Sequence, residues 1–274
     1  MLIETLSTFP HMYDSVMGES MMKRAQEKGI LEFRAHDLRD WTHDRHRTTD
    51  DDPYGGGAGL VMKCDPIFEA VEAILGKEFV EAKLAAAPPQ GESQQRSSAA
   101  PQIVFLAPQG RPFDDAYADK LAAADHLLFI CGHYEGIDER DYTLADHVIS
   151  LGDYVLTSGE LASMVVIDAA VRKLPGVLGA AEGPVDESFT SGLLEYPQYT
   201  RPADFRGMRV PEVLTSGNHA AIARWRREQS LARTAAARPD LIAAAEAAGR
   251  LTPADQKFLK LLEPAPTGAA EGVS

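Results

Sequence analysis

Cysteine is scarce: only Cys64 and Cys131 occur in 274 residues, far apart and in no CxxC arrangement. That excludes a disulfide framework and a zinc finger, and fits a reducing cytoplasm. No stretch reaches the roughly 18 consecutive apolar residues a membrane span needs. The start, MLIETLSTFPHMYD, carries acids where a secretion signal carries a basic region, so an unexported protein is expected. Positive charge is in short supply as well. Lys and Arg number 27 against 41 Asp and Glu, a formal net charge of -14, which taken alone argues against a polyanionic partner. What remains is an average soluble composition, 45% hydrophobic and 25% charged, with chain enough for one large domain or two ordinary ones.

The distribution of charge says something the total does not. Between Arg201 and Arg238 stand eight arginines, among them Arg201 and Arg224, against Asp204, Glu212 and Glu228. A local excess of five positive charges, all arginine, suggests a phosphate-facing surface on an otherwise acidic protein. The plainer alternative is a solvated helix face.

Function is expected to gather in the run from Leu127 to Leu161. Leu127 to Cys131 and His147 to Leu151 each read as a short buried strand, and each passes directly into glycine and polar residues. Upstream, Ile103 to Leu106 gives way in the same manner to Pro108, Gln109, Gly110 and Arg111. Ligands of open α/β sheets bind beyond the carboxyl ends of the strands, so three such loops predict one shared pocket. Thr157 and Glu160 have capping-box spacing, and Leu161, Met164, Ile167, Val171 and Leu174 recur at helical intervals, so a helix should begin at that pocket.

Elsewhere, Leu2 to Leu6 reads as a first strand and Met12 to Lys28 as a helix closed by Gly29. Asp40 and the residues from Thr42 to Gly59 include two histidines, an aspartate run and four glycines, and nothing among them can pack a core. They read as a substrate-contacting loop. His43 and His46 with the aspartates could ligate a divalent metal, but no second cluster completes a site. The glycines match neither GxGxxG nor GxxxxGK[ST], which disfavours a dinucleotide or P-loop nucleotide. Asp65-Pro66 should cap and start a helix. From Glu81 to Pro101 the composition turns to Ala, Pro, Gln, Ser and Gly, the signature of a flexible insertion. Helices are expected from about Asp114 to Ala124, from an Asn218 cap through Leu231, over Pro239 to Ala248 and over Pro253 to Leu262, followed by a flexible tail.

Several motifs in fixed order carry a resemblance: THDRHRTTDDDPYGGGAG at 42 to 59, PQGR at 108 to 111, CGHYEGIDER at 131 to 140, LGDYVLTSGEL at 151 to 161, PGVLG at 175 to 179, and YTRP with VLTSGNHAAIARWRREQSLART beyond. Together they resemble the bacterial tRNA (guanine-N1)-methyltransferases of the SPOUT class, which methylate the guanosine just 3′ of the anticodon. The resemblance implies an α/β fold whose sheet carries a deep trefoil knot, over residues 1 to 178. It further implies an interdomain linker over 179 to 190 and a small, mainly helical tRNA-binding domain over 191 to 274. A homodimer is implied, with each active site completed by the partner subunit.

The same resemblance implies S-adenosylmethionine as methyl donor, held by Pro108, Gln109, Gly132, Tyr134, Glu135, Leu151, Gly152, Asp153, Tyr154, Val155, Leu156, Ser158 and Gly159. Asp50 and Gly59 match positions that recognise the target base. The family's catalytic arginine maps onto Arg172. Its catalytic aspartate, in an Asp-Ser-Phe context, maps onto Glu187 of Asp186-Glu187-Ser188-Phe189, with Asp186 the alternative. Further departures are Ala58, His133, Ser158 and Ala162, where the family has proline, arginine, glycine and proline. Mg2+ could assist catalysis, though the sequence offers no ligand set for it. Two other classes compete: a non-catalytic RNA-binding protein would explain the arginines, and a metal-dependent nuclease would use the HDRH and aspartate run.

Overall fold

The computed structural model describes residues 1–85, 99–178 and 187–262. Contacts divide the chain into two compact units, Met1–Gly183 and Pro184–Ser274.

In chain order the first unit contains β1 (Leu2–Ser7), α1 (Asp14–Met17), α2 (Ser20–Glu27), β2 (Glu32–Asp37), β3 (Asp50–Asp51), β4 (Val61–Met62), α3 (Cys64–Leu75) and α4 (Lys77–Ala85). Then follow β5 (Gln102–Pro112), α5 (Asp115–Ala122), β6 (His126–Ile130), β7 (His147–Ser150) and α6 (Gly159–Val171). Five strands pair in the order β2-β1-β6-β5-β7, every pair parallel. A parallel sheet must be covered on both faces, and the side chains alternate accordingly. On β6, Leu127 and Phe129 pack with Val166, Ile167, Ala170 and Val171 of α6 and with Tyr117 and Leu121 of α5. Leu128 and Ile130 belong to a second cluster with Ile67, Ala70 and Val71 of α3 and Val80 of α4. This is an α/β fold around a parallel sheet.

Several expectations need correction. The stretch from Met12 to Lys28 is not one helix: a 3-10 turn at Pro10–Tyr13, α1 and α2 share it, and the chain breaks around Gly18 and Ser20, where φ is +49°. α3 starts one residue before Asp65, with Lys63 as its cap. Residues 81 to 85, expected in a flexible insertion, form the end of α4, whose Lys83 is buried beside Asp146 and donates to the Leu144 carbonyl at 2.9 Å. Alanine-rich composition hid a helix whose buried Lys83 has its carbonyl partner, Leu144, 61 residues away. The rest of that insertion, 86 to 98, lies outside the described residues, as does the tail from 263.

The second unit contains β8 (Asp204–Phe205), β9 (Met208–Arg209), α7 (Glu212–Thr215), α8 (His219–Ala237), α9 (Pro239–Ala247) and α10 (Pro253–Leu262). Asn218 caps α8 by accepting from the Ala221 amide at 3.1 Å. Leu193, Leu231, Ala245 and Leu251 form its small core, with Ile242, Phe258 and Leu259 packed around them. Asp255 ties the helices together. It takes a two-pronged hydrogen bond from Arg227 on α8 at 3.0 and 2.9 Å, and accepts from the Thr252 amide at 2.9 Å.

Candidate functional site

The loops leaving three adjacent strands, β6, β5 and β7, enclose one cavity of about 380 Å³. β5 contributes Leu106, Ala107, Pro108 and Gln109. The β6 loop contributes Gly132 through Ile137, with Glu139 and Tyr142 beyond it. Ile149 through Gly152 and Tyr154 through Gly159 complete the wall, with Ala162 from the first turn of α6. Every donor-binding candidate lines this cavity except Asp153. The shared pocket expected from three strand-end loops is therefore present.

Its construction depends on backbone meeting backbone. The Gly159 amide donates to the Gly132 carbonyl at 2.8 Å, and a Cβ on Gly159 would lie 2.7 Å from the Gly132 nitrogen and 3.0 Å from the Cys131 Cα. Only glycine permits that approach. β5 behaves similarly: Leu106 and Arg111 both pair with Ile149, with an irregularity between them. A Cβ on Gly110 would meet the Ile149 nitrogen at 2.6 Å. One polar atom of the wall has nothing to bind. The Ser158 Oγ is buried without a hydrogen-bond partner among the described residues, although Ser158 is the cap residue of α6.

The expected capping box does not form, because Thr157 lies outside the cap position and Glu160 is used elsewhere. Glu160 is fully buried; its carboxylate accepts from Ser7 Oγ and, at 2.8 Å, from His133 Nε2. Burial pushes its pKa up, but the hydrogen bonds from His133 and Ser7 outweigh this and hold it below the ordinary value. Beside it the Tyr13 hydroxyl contacts Ser163 Oγ at 2.6 Å and Cys131 Sγ at 3.0 Å. Burial, with Glu160 close by, pushes the Cys131 thiol up to about 12, so it is an inert packing group. Sequence reasoning missed Glu160 and His133 as the cavity's support. The available signal was an acid in the first turn of an otherwise apolar helix. Of the expected stripe, Ile167 and Val171 are buried and Met164 and Leu174 pack against the same core, whereas Leu161 is exposed.

The glycine-rich loop meets the same cavity. The Leu60 carbonyl accepts from the Glu135 amide at 3.1 Å, and Gly59 lies so near Glu135 that a Cβ there would come within 2.3 Å of its Cγ. Asp50, on β3, hydrogen-bonds Tyr134, whose hydroxyl pKa is raised first by burial and then by that carboxylate. Asp50 and Gly59 thus adjoin Tyr134 and Glu135. Two side chains of the HDRH segment, His43 and Asp44, have partners of their own. Asp44 accepts from the His46 and Thr48 amides at 2.8 Å, contacts led by Thr48 that lower its pKa to about 2. His43 pairs with Glu69 at 2.7 Å. Among the described residues no group of three His, Cys, Asp or Glu is placed to hold a metal ion, and no helix is long and apolar enough to cross a membrane.

Arg172 closes the carboxyl end of α6 as its cap residue. Glu187 is the first described residue of the second unit, and Asp186, with the linker over 179 to 186, lies outside the described residues. The eight arginines divide into two groups. Arg227 holds Asp255, Arg209 pairs with Asp204 at 3.1 Å, Arg238 with Asp240 at 2.6 Å, and Arg233 donates to the Glu195 carbonyl. Arg201, Arg206, Arg224 and Arg226 have no acidic partner among the described residues. Arg233 meets a carbonyl and not an acid, so with it five of the eight arginines carry a charge that no acid offsets among the described residues.

The profile of the family described as tRNA (guanine-1)-methyltransferase TrmD matches residues 1–244. The tRNA (guanine-N(1)-)-methyltransferase of Symbiobacterium thermophilum is 51% identical over 260 residues, 95% of this chain and 97% of its own length. That of Limosilactobacillus reuteri is 51% identical over 246 residues, 90% and 91% of the two chains. That of Geotalea uraniireducens is 48% identical over 264 residues, 96% and 97%. With a profile matched across both units and half the residues identical over nearly the full length, the chain belongs to the tRNA (guanine-1)-methyltransferase family.

Proposed function

We propose that this protein transfers the methyl group of S-adenosylmethionine to N1 of the guanosine immediately 3′ of the tRNA anticodon. The observation that carries the reading is the single cavity built from three strand-end loops, in a chain of this family. Its volume, about 380 Å³, suits a nucleoside-sized ligand. The unpartnered Ser158 Oγ and the backbone laid bare at Gly132 and Gly159 supply polar groups for one. Glu135 and Glu139 offer acceptor oxygens for hydroxyl or ammonium groups, and Tyr154, Val155 and Leu156 offer exposed apolar surface.

Guanine N1 carries a proton at neutral pH and becomes nucleophilic only as that proton leaves. Glu187 accepts it, Asp186 being the alternative acceptor, while the Arg172 guanidinium stabilises the negative charge that grows on O6. The methyl donor, when bound, supplies an electrophilic methyl group and departs as a neutral thioether. The N1–carbon bond forms as the sulfur–carbon bond breaks, and the proton ends on the carboxylate. Asp50 and Gly59, beside Tyr134 and Glu135, position the target base next to the donor.

The SPOUT knot belongs to this reading, supported by the double pairing of Ile149 with Leu106 and Arg111 and by the tight passage at Gly110. Such threading has a low prior on general topology. A homodimer is part of it too, supported by Phe9, Met12 and Val16 near α1 and Leu161 and Val165 of α6, large apolar residues left exposed in the first unit. The helices of the second unit and the linker over 179 to 190 bind tRNA.

The test is transfer of label from radiolabelled S-adenosylmethionine to an unmodified tRNA transcript whose target guanosine follows another guanosine, with the label located at N1. No transfer overturns the reading in favour of a binding protein, and chelator-sensitive cleavage of the transcript would favour the nuclease. Glu187→Gln and Asp186→Asn measured separately identify the proton acceptor; full activity in both removes it from this segment.

A further inference from the structure

The second unit contains a cavity of its own, about 390 Å³, walled by Tyr196 to Arg201, the β9–α7 segment and the first turns of α8. Its lining sets aromatic faces beside guanidinium groups. Tyr199 and Trp225 stand with ring centroids 6.3 Å apart at 52°, and Arg226 lies over the Tyr196 ring at 4.8 Å from its centroid. Arg201 sits on the wall without an acidic partner among the described residues, and Tyr199 is 50% exposed. No aspartate or glutamate lines the cavity among the described residues, in a chain whose net charge is -14.

We propose that this cavity holds one unstacked base of the substrate RNA, a base other than the methylated one, with its phosphate on Arg201. Aromatic rings take any base by its face, guanidinium planes do the same, and an unpaired arginine meets the phosphate that follows. A purely apolar ligand would leave Arg201 and Arg226 desolvated without a counter-charge. An acidic peptide would use the arginines but not the paired rings. The two cavities share no lining residue, so the methyl donor does not compete for this one.

The inference rests on the tRNA reading, and its test separates the two. Using the full chain and an unmodified tRNA transcript, Kd and the split of KM and kcat are measured for Tyr199→Ala, Trp225→Ala and the ring-retaining Tyr199→Phe and Trp225→Phe. Tyr199→Ala and Trp225→Ala are expected to raise Kd and KM for tRNA about tenfold each, with KM for the methyl donor unchanged and the phenylalanine variants within about twofold of the parent. Trp225 emission should be quenched by a single-stranded RNA heptamer and not by the same sequence in a duplex, and the quenching should vanish in Trp225→Phe. Circular dichroism confirms that each variant folds, and half-exposed Tyr199 can be replaced without opening the core. Tyr199→Ala binding tRNA like the parent, phenylalanine failing as alanine does, or quenching by duplex equal to that by single strand would each overturn the inference. If the parent chain itself transfers no label to tRNA, it is the underlying reading that fails; if the parent is active and the alanine variants match it, only the cavity assignment falls.

Discussion

The two cavities have nearly the same volume, about 380 and 390 Å³, and almost nothing else in common. The first is made by backbone: glycines at 132 and 159 in contact, a buried carboxylate beneath, loops from three paired strands above. The second is made by side chains, rings and guanidinium groups on short turns and one face of α8. Volume therefore says little about what a cavity does, and the source of the wall says much. A backbone wall tolerates no added atom, whereas a side-chain wall can lose a member and keep its shape.

The largest expected difference follows from that. Gly159→Ala places a Cβ against the Gly132 nitrogen and Cys131 Cα, atoms that cannot step aside. Affinity for S-adenosylmethionine should fall about 100-fold or more, measured by calorimetry, because overpacking a backbone contact costs up to about 3 kcal/mol and also shifts the wall. Normal donor binding by this variant would break the comparison. Next, Arg201→Ala with Arg224→Ala should weaken tRNA binding about tenfold near 0.1 M salt, and reduce the slope of log K against log salt by about two. Donor affinity should not change.

A smaller effect, on stability alone, is expected at Asp141. Its carboxylate is buried without a hydrogen-bond partner among the described residues, and burial, reinforced by Asp138, pushes its pKa up to about 8. The folded protein then binds a proton that the unfolded chain has released, so stability is full below about pH 4 and is lost as pH rises towards 8. Asp141→Asn should remove that loss, gaining about 1–2 kcal/mol at pH 8.5 and little at pH 4 by urea unfolding. An unchanged pH dependence would refute the assignment. The smallest effect sharpens the division among the arginines. Arg209→Ala and Arg238→Ala, each already held by a neighbouring aspartate, should change tRNA affinity by less than about twofold in a filter-binding assay.

Local patterns carried far into this fold. Buried strands at Leu127 and His147, the loops that follow them and the Asn218 cap were legible because apolar runs, glycine and capping residues act over a few positions. β2 was not: Glu32–Asp37 reads EFRAHD, whose only apolar members, Phe33 and Ala35, make too short an alternation to stand out, and it is fixed by pairing with β1 from Leu2↔Glu32 to Ser7↔Asp37. Glu160 was misread for a related reason. Its spacing from Thr157 suits a cap, and its true partners, Ser7 and His133, lie 153 and 27 residues away. The arginine run showed its charge but not that Arg227 was already spoken for, since Asp255, 28 residues away, meets it only once α8 and α10 are packed.

The strand order β6-β5-β7 sets a dimension as well as a location. Hydrogen-bonded strands stand roughly 4.8 Å apart, so loops rising from three neighbours span about 10 Å, whatever side chains they carry. The breadth of the first cavity is thus a ruler ruled by peptide hydrogen bonds. Substitution in the loops can alter what touches a ligand, but a ligand of different breadth would require a different set of strands.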